Sequence, residues 1–136
     1  MPITGWAREF LARPRLFATL GTLTDDGSPI QAVIWYTLTD DGLLINSRIG
    51  RAWPTNLLRD PRCALAVEDG YEWVGVRGDA APITDQATAQ ADIAAMARRY
   101  HADEPDRARR LIRDFERQER ISFLVRPSSV VEHPDD

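Results

Sequence analysis

The residues best suited to chemistry lie in the segment 46–62. It begins with small polar residues, continues through Gly50 between Arg48 and Arg51, and enters a predicted helix near Pro54. Guanidinium groups match phosphate oxygens with paired hydrogen bonds, and glycine lets the backbone come close to a ligand. The N–H groups at the start of a helix add further donors for an anion. The segment therefore has the ingredients of an anion site, although a solvated turn with scattered arginines would have the same composition.

No other segment has the spacing of a known catalytic or metal-binding motif. His101 and His133 fall in a loop after a predicted helix and in the C-terminal tail, and the chain contains one cysteine. Because no histidine lies near Cys63 in the sequence, we interpret it as a buried structural thiol. The sequence predicts neither a metal site nor a catalytic side chain. If the protein is an enzyme, its reactive atom belongs to a cofactor.

Composition excludes several classes of function. Among 136 residues the net charge is −4, and all 17 basic residues are arginine. A chain without lysine cannot form a Schiff base, and its negative charge argues against general nucleic-acid binding. With no signal sequence, no long apolar segment and a single cysteine, we expect a cytoplasmic protein that does not interact with membranes. The length predicts one domain, residues 1–136.

The first half of the chain has the pattern of antiparallel strands. Segments 16–23, 29–38 and 43–47 are rich in β-forming residues, and Asp-Asp-Gly turns separate them at 25–27 and 40–42. Turns of this kind between such runs are typical of hairpins. We therefore predict a three-stranded antiparallel meander.

The remaining elements follow from periodicity and from glycine and proline. Helices are predicted at 5–12, 54–59, 85–100 and 106–118. Further strands are predicted at 63–67, at 71–83 with a bulge or close approach at Gly75 or Gly78, and at 120–125 and 129–132 with a bend at Pro127. The tail 133–136 is predicted to fray. This order predicts a mainly β protein, an antiparallel barrel of about six to seven strands with flanking helices.

Together with Arg51 before it, the segment 56–65 resembles a known family signature; its sequence is Asn-Leu-Leu-Arg-Asp-Pro-Arg-Cys-Ala-Leu. It is similar to the pyridoxamine 5′-phosphate oxidase-like superfamily, and more narrowly to the flavin/deazaflavin oxidoreductases of the B group, which commonly depend on coenzyme F420. Segments 16–29, 71–78 and 120–130 resemble the first hairpin, the fifth strand and the closing strands of the same family.

This resemblance implies a split β-barrel of the FMN-binding type, assembled as a homodimer with two cofactor sites at the interface. The positions implied to line the cofactor ring are Gln31, Ala32, Val33, Ile34 and Trp35. Those implied to hold the ribityl chain and phosphate are Asn46, Ser47, Arg48, Gly50, Arg51, Ala52 and Trp53, supported by Asn56. Trp73 and Arg77 of the other subunit would complete the pocket.

One position departs from the family pattern. Many relatives carry a phosphate-binding lysine where this chain has Trp53. A tryptophan cannot form an ion pair, although its indole N–H can donate one hydrogen bond. Phosphate binding is therefore expected to rest on Arg51, Arg48 and backbone donors.

The implied function is that of an oxidoreductase that uses F420 to transfer a hydride to an electron-poor small molecule. Arg77 and Tyr71 are the candidate proton donors. Two alternatives remain open on the same fold. One is an FMN-dependent oxidoreductase, and the other is a non-catalytic carrier of a flavin, a deazaflavin or haem, with His101 and His133 as candidate haem ligands.

Overall fold

A computed structural model describes residues 1–135, which form seven strands and four helices. The helices are α1 (Gly5–Leu11), α2 (Ala52–Arg59), α3 (Gln86–Tyr100) and α4 (Pro105–Glu116). The strands are β1 (Ala18–Leu23), β2 (Pro29–Ile34), β3 (Thr37–Thr39), β4 (Gly42–Arg48), β5 (Arg62–Asp69), β6 (Glu72–Ile83) and β7 (Arg120–His133).

The strands form one antiparallel sheet in the order β2-β1-β5-β6-β7-β4-β3, curled into a half-barrel. Buried and exposed side chains alternate along β5, so Leu65 and Val67 point inward between exposed neighbours. Leu20 on β1, Val76 on β6 and Phe123 on β7 join them in the core. The predicted mainly β architecture, with six to seven antiparallel strands and flanking helices, is confirmed.

The predicted three-stranded meander is wrong. The segment 29–38 does not form one strand, because the ladder breaks at Trp35 and Tyr36. β2 pairs with β1, and β3 pairs with β4, but the two hairpins lie at opposite edges of the sheet. β1 and β4 find their second partners in β5 and β7 instead.

The break has a physical cause in the contacts of Tyr36, which is 3% exposed. Its N–H donates to the hydroxyl of Tyr100 at 3.1 Å, and its own hydroxyl donates to the carbonyl of Leu11 at 2.8 Å. Arg99 donates to the Tyr36 carbonyl. Side chains of α3 thus satisfy the backbone groups that a neighbouring strand would otherwise bond.

The bulge predicted in the strand 71–83 lies at Gly78. The register of β6 against β7 shifts between Arg77 and Gly78, and a Cβ on Gly78 would lie 2.1 Å from the carbonyl oxygen of Arg126. Only glycine fits so close an approach. β7 is one continuous strand rather than the two predicted, because Pro127 falls at this irregularity and opposite Gly78.

β7 also extends further than predicted, since His133 pairs with Trp73. The tail predicted to fray is therefore partly a strand, and Asp136 lies outside the described residues.

The helix α3 packs on β7 and β4, and α4 packs on α3. The side chain of Asp85 caps α3 by accepting a hydrogen bond from the N–H of Thr88 at 3.0 Å. Ile93, Met96 and Tyr100 form a second small core between this helix and the sheet. No helix in residues 1–135 combines the length and the hydropathy needed to cross a bilayer.

The contacts of Tyr36 predict the effect of Tyr100→Phe. The hydroxyl of Tyr100 donates to the Leu16 carbonyl at 2.6 Å and accepts from Tyr36, and the variant leaves both backbone groups without it. We expect the free energy of unfolding in urea to fall by about 1–3 kcal/mol. Tyr71→Phe is the control, because Tyr71 is 85% exposed. An equal decrease in the free energy of unfolding of the two variants would show that the Tyr100 hydroxyl does not stabilise the interruption of the strand at Tyr36.

Candidate functional site

A groove of about 720 Å³ opens where β2 faces the end of β4 and the start of α2. Ten of the predicted cofactor-binding residues line it. Five come from β2 and the residue after it: Gln31, Ala32, Val33, Ile34 and Trp35. Five come from the end of β4 and the start of α2: Asn46, Ser47, Arg51, Ala52 and Trp53. The structure therefore brings together two segments that are separate in the sequence.

The other predicted site residues lie outside the groove lining. Arg48 is exposed at the end of β4, and Gly50 is exposed in the turn that follows, where its φ of 99° favours glycine. Asn56 is buried behind the groove, where its amide donates to the hydroxyl of Thr22 at 3.1 Å. It supports the first turns of α2 against β1 and has no direct access to a ligand.

Trp73 and Arg77, predicted to act on the other subunit's cofactor, are exposed on β6. β6 lies three strands from β2 in the sheet, which is about 14 Å at the usual spacing. Neither residue lines the groove of its own chain. Tyr71 and Arg77 also lie outside the groove lining, so a role as proton donor would require them to act on a different copy of the chain.

Cys63 is buried, as predicted for a structural thiol. Its sulfur lies 3.7 Å from the carbonyl oxygen of Gly78. Burial raises the pKa of the thiol to about 12, with a smaller contribution from the nearby carboxylate of Asp79. The thiolate needed for nucleophilic chemistry is therefore strongly disfavoured at neutral pH.

One end of the groove is apolar and aromatic. The Trp35 ring stacks on Tyr100, with ring centroids 5.0 Å apart and an angle of 12° between the planes. Phe17, Ile93 and Phe115 also line the groove, and they were not among the predicted residues because they lie far apart in the sequence, before β1, on α3 and on α4. Broad, flat side chains of this kind form a surface suited to a planar ring.

The other end of the groove is cationic. Arg51 lines it, and β4 pairs with β7 so that Arg48 lies directly opposite Arg120. Arg120 was not among the residues predicted from the sequence, because it starts β7 far along the chain from the segment 46–62. No local motif marks it, and only the pairing of β4 with β7 brings it to the groove.

Arg120 is 6% exposed, and it stacks over the ring of Phe115 at 4.6 Å. Its Nε donates to Oδ1 of Asn46 at 3.1 Å, and Nη1 donates to Oε1 of Gln118 at 2.6 Å. Burial, together with the smaller effect of the positive charges of Arg51 and Arg48, lowers the pKa of the guanidinium to about 10. It remains protonated at neutral pH.

The three arginines lack acidic partners. In residues 1–135, no carboxylate lies within salt-bridge distance of Arg48, Arg51 or Arg120. The N–H groups of Ala52 and Trp53 add to the positive potential, because the first residues of a helix have no intrahelical acceptor. This end of the groove is therefore built to receive an anion.

A network of polar side chains fixes the geometry between the two ends. The amide nitrogen of Asn46 donates to the Ala89 carbonyl and to the hydroxyl of Ser122, each at 2.9 Å. Ser122 in turn donates to a carboxylate oxygen of Asp92 at 2.7 Å. Because both amide hydrogens of Asn46 are engaged, its oxygen is held toward Arg120. The network ties β4 and β7 to α3.

Comparison with known proteins agrees with this architecture. Residues 3–123 match the family described as pyridoxamine 5′-phosphate oxidase. No curated protein matches the sequence.

Solved structures share the fold at low sequence identity. The chain is similar to an F420 reductase with a TM-score of 0.75 and 24% identity, over 95% of this chain and 98% of that one. It is similar to the conserved hypothetical protein Rv2991 from Mycobacterium tuberculosis with a TM-score of 0.76 and 19% identity, over 96% and 85% of the two chains. For HutZ, a heme storage protein from Vibrio cholerae, the TM-score is 0.69 and the identity 14%, over 92% and 90%.

Proposed function

The chain belongs to the pyridoxamine 5′-phosphate oxidase family, and from this we propose that it is an oxidoreductase with F420 or a flavin in its groove. It would transfer a hydride to an electron-poor small molecule. The observation that carries the proposal is the form of the groove, which joins an aromatic end to a cationic end. A ligand that fits has a flat ring at one end and an anionic group at the other, and flavins and deazaflavins with phosphorylated side chains have this form.

The residues present fit such a group in size and chemistry. The groove volume of about 720 Å³ lies within the range of roughly 300–1,000 Å³ typical of cofactor sites. Trp35 and the β2 side chains would lie along the ring, and Asn46, Ser47 and Arg51 would lie along the polar chain and phosphate. When bound, a reduced flavin or deazaflavin supplies the hydride.

The chain's own contribution is binding and positioning. The apolar side chains around Trp35 would exclude water from the ring, and the arginines would hold the anionic tail, so that the ring carbon meets the substrate in one orientation. We assign no catalytic side chain. F420 is the first choice because of the sequence resemblance, and FMN is the second.

The positions of the two histidines do not support the alternative that the protein is a haem carrier. His101 packs edge-on against Trp35 and faces Glu104, and His133 stacks on Trp73. Neither histidine is part of the groove lining.

The proposal is tested by titrating purified protein with F420, FMN and haem, following absorbance and fluorescence. We expect binding of F420, or of FMN, in about the micromolar range or tighter. Turnover with a panel of enones and quinones would then separate an oxidoreductase from a carrier. Binding of haem alone, or no binding of any of the three, would contradict the proposal.

Arg51→Ala should weaken binding of the cofactor by about 1.5–3 kcal/mol, the usual contribution of a charge-assisted hydrogen bond. Affinities of the two proteins come from the same fluorescence titration. Arg110→Ala is the matched control, because Arg110 is exposed on α4 and lies outside the groove lining. Unchanged affinity in Arg51→Ala would show that the phosphate lies elsewhere.

We also propose that two copies of the chain assemble through the exposed face of the sheet. One row of aligned residues across this face is Val33, Thr19, Ala66, Gly75 and Val131. Val33 is 71% exposed, and the small side chains between the two valines leave a smooth surface that another sheet can approach. The face carries Trp73 and Arg77 as well, so a two-fold contact would bring them toward the partner's groove.

Ala66→Arg should convert the dimer to a monomer, because a long charged side chain at the middle of the row prevents close contact. Light scattering of the purified variant measures the change. Ala95→Arg places the same side chain at an exposed position of α3 and should leave the dimer intact. A wild-type protein that is monomeric at all concentrations would contradict the assembly.

A further inference from the structure

The hydrogen bonds of Arg120 leave part of its guanidinium unused. A guanidinium has five N–H donors, and in residues 1–135 only Nε and Nη1 have hydrogen-bond acceptors. Both acceptors are neutral amide oxygens, from Asn46 and Gln118. The charge itself is therefore uncompensated, although the side chain is almost entirely removed from water.

The unused nitrogen of Arg120 is not fully enclosed by the protein. No buried side-chain nitrogen or oxygen in the described residues lacks a hydrogen-bond partner, so Nη2, which has none, must retain access to open space. Arg120 lines the groove, which is the open space beside it. The side chain that carries the free donors therefore borders the place where a ligand would lie.

The backbone of Arg120 is also held. The side-chain amide of Gln86 accepts from the Arg120 N–H at 3.0 Å and donates to its carbonyl at 2.7 Å. With Asn46 and Gln118 on the guanidinium, the residue is fixed at both ends before any ligand arrives. A donor that is already ordered loses little conformational freedom when it binds.

We propose that Arg120 is the residue that recognises the anionic group of the ligand and makes the groove selective for phosphorylated over unphosphorylated chromophores. The proposal rests on the proposed function, and it shifts the main recognition role from Arg51 to a residue that no sequence motif marks. Arg48 and Arg51 are exposed, so solvent and salt screen their charges. The buried charge of Arg120 is screened much less, and an anion beside it also relieves its repulsion with the other two.

The test compares FMN with riboflavin, which differ only in the phosphate, and F420 with its phosphate-free deazaflavin chromophore. We expect wild-type protein to prefer the phosphorylated member of the pair. In Arg120→Gln that preference should fall by about a hundredfold, because a charge-assisted hydrogen bond to the phosphate is lost. The decrease should be at least as large as in Arg51→Gln. The affinity for the unphosphorylated member of the pair should stay the same. Arg120→Lys, which keeps the charge but loses the fork, should recover part of the preference.

Arg117→Gln is the matched control, since Arg117 is an exposed arginine just after α4 that does not line the groove. Circular dichroism checks that each variant is folded. An unchanged preference in Arg120→Gln would overturn the inference. So would an equal loss for both members of a pair, because that result shows a structural role without charge recognition.

A second measurement separates this inference from the proposed function. Inorganic pyrophosphate should raise the melting temperature of wild-type protein and of Arg117→Gln, and raise that of Arg120→Gln much less. If wild-type protein binds no flavin or deazaflavin but shows this difference, the proposed function fails and the anion role of Arg120 stands. If pyrophosphate stabilises all of them equally, the role of Arg120 is wrong.

Discussion

The backbone at Tyr36 is bonded by side chains of α3, and the shape of the sheet depends on this interaction. Because Tyr100 and Arg99 satisfy the Tyr36 N–H and carbonyl, β2 and β3 cannot continue as one strand. β2 then becomes one edge of the sheet, while β3 and β4 lie at the other. The sheet curls until these two sides face each other, and the groove is the gap between them. The same contact stacks Tyr100 on Trp35, so the break in the ladder also places an aromatic ring in the wall of that gap.

The two ends of the groove have opposite energetic characters. The aromatic end is assembled from side chains that are stable in an apolar environment, and it requires no ligand. The cationic end holds Arg51 and the buried Arg120, and Arg48 lies beside Arg120 on the neighbouring strand; none of the three has a carboxylate partner in residues 1–135. Burying a charge in this way opposes folding. Hydrogen bonds to neutral amides and the ring of Phe115 offset part of this cost, and they do so without neutralising the charge that an anionic ligand would meet.

The outer face of the sheet would also contribute to the groove in the assembly that we propose. One row across it has the small residues Thr19, Ala66 and Gly75 between Val33 and Val131, and Trp73 and Arg77 lie on the same face at a distance from their own groove. In the assembly that we propose, one surface would therefore serve both to join two copies and to close each groove from the partner's side. Binding of the ligand and association of the chains would then be coupled, because each would order groups that the other uses.

The sequence by itself determined the elements and the family. Turn residues and periodicity predicted a mainly β fold, the helix α3 and a bulge at Gly75 or Gly78, because each of these depends on local chemistry. Ten of the residues that line the groove were implied by the family resemblance, which the segment 56–65 carries. Only the tertiary structure decided which strands pair. The Asp-Asp-Gly turns at 25–27 and 40–42 specify two hairpins but carry no information about the break between them, which depends on Tyr100 some 64 residues away. Arg120 was invisible for the same reason, since its place beside Arg48 follows from a strand pairing between residues 72 positions apart.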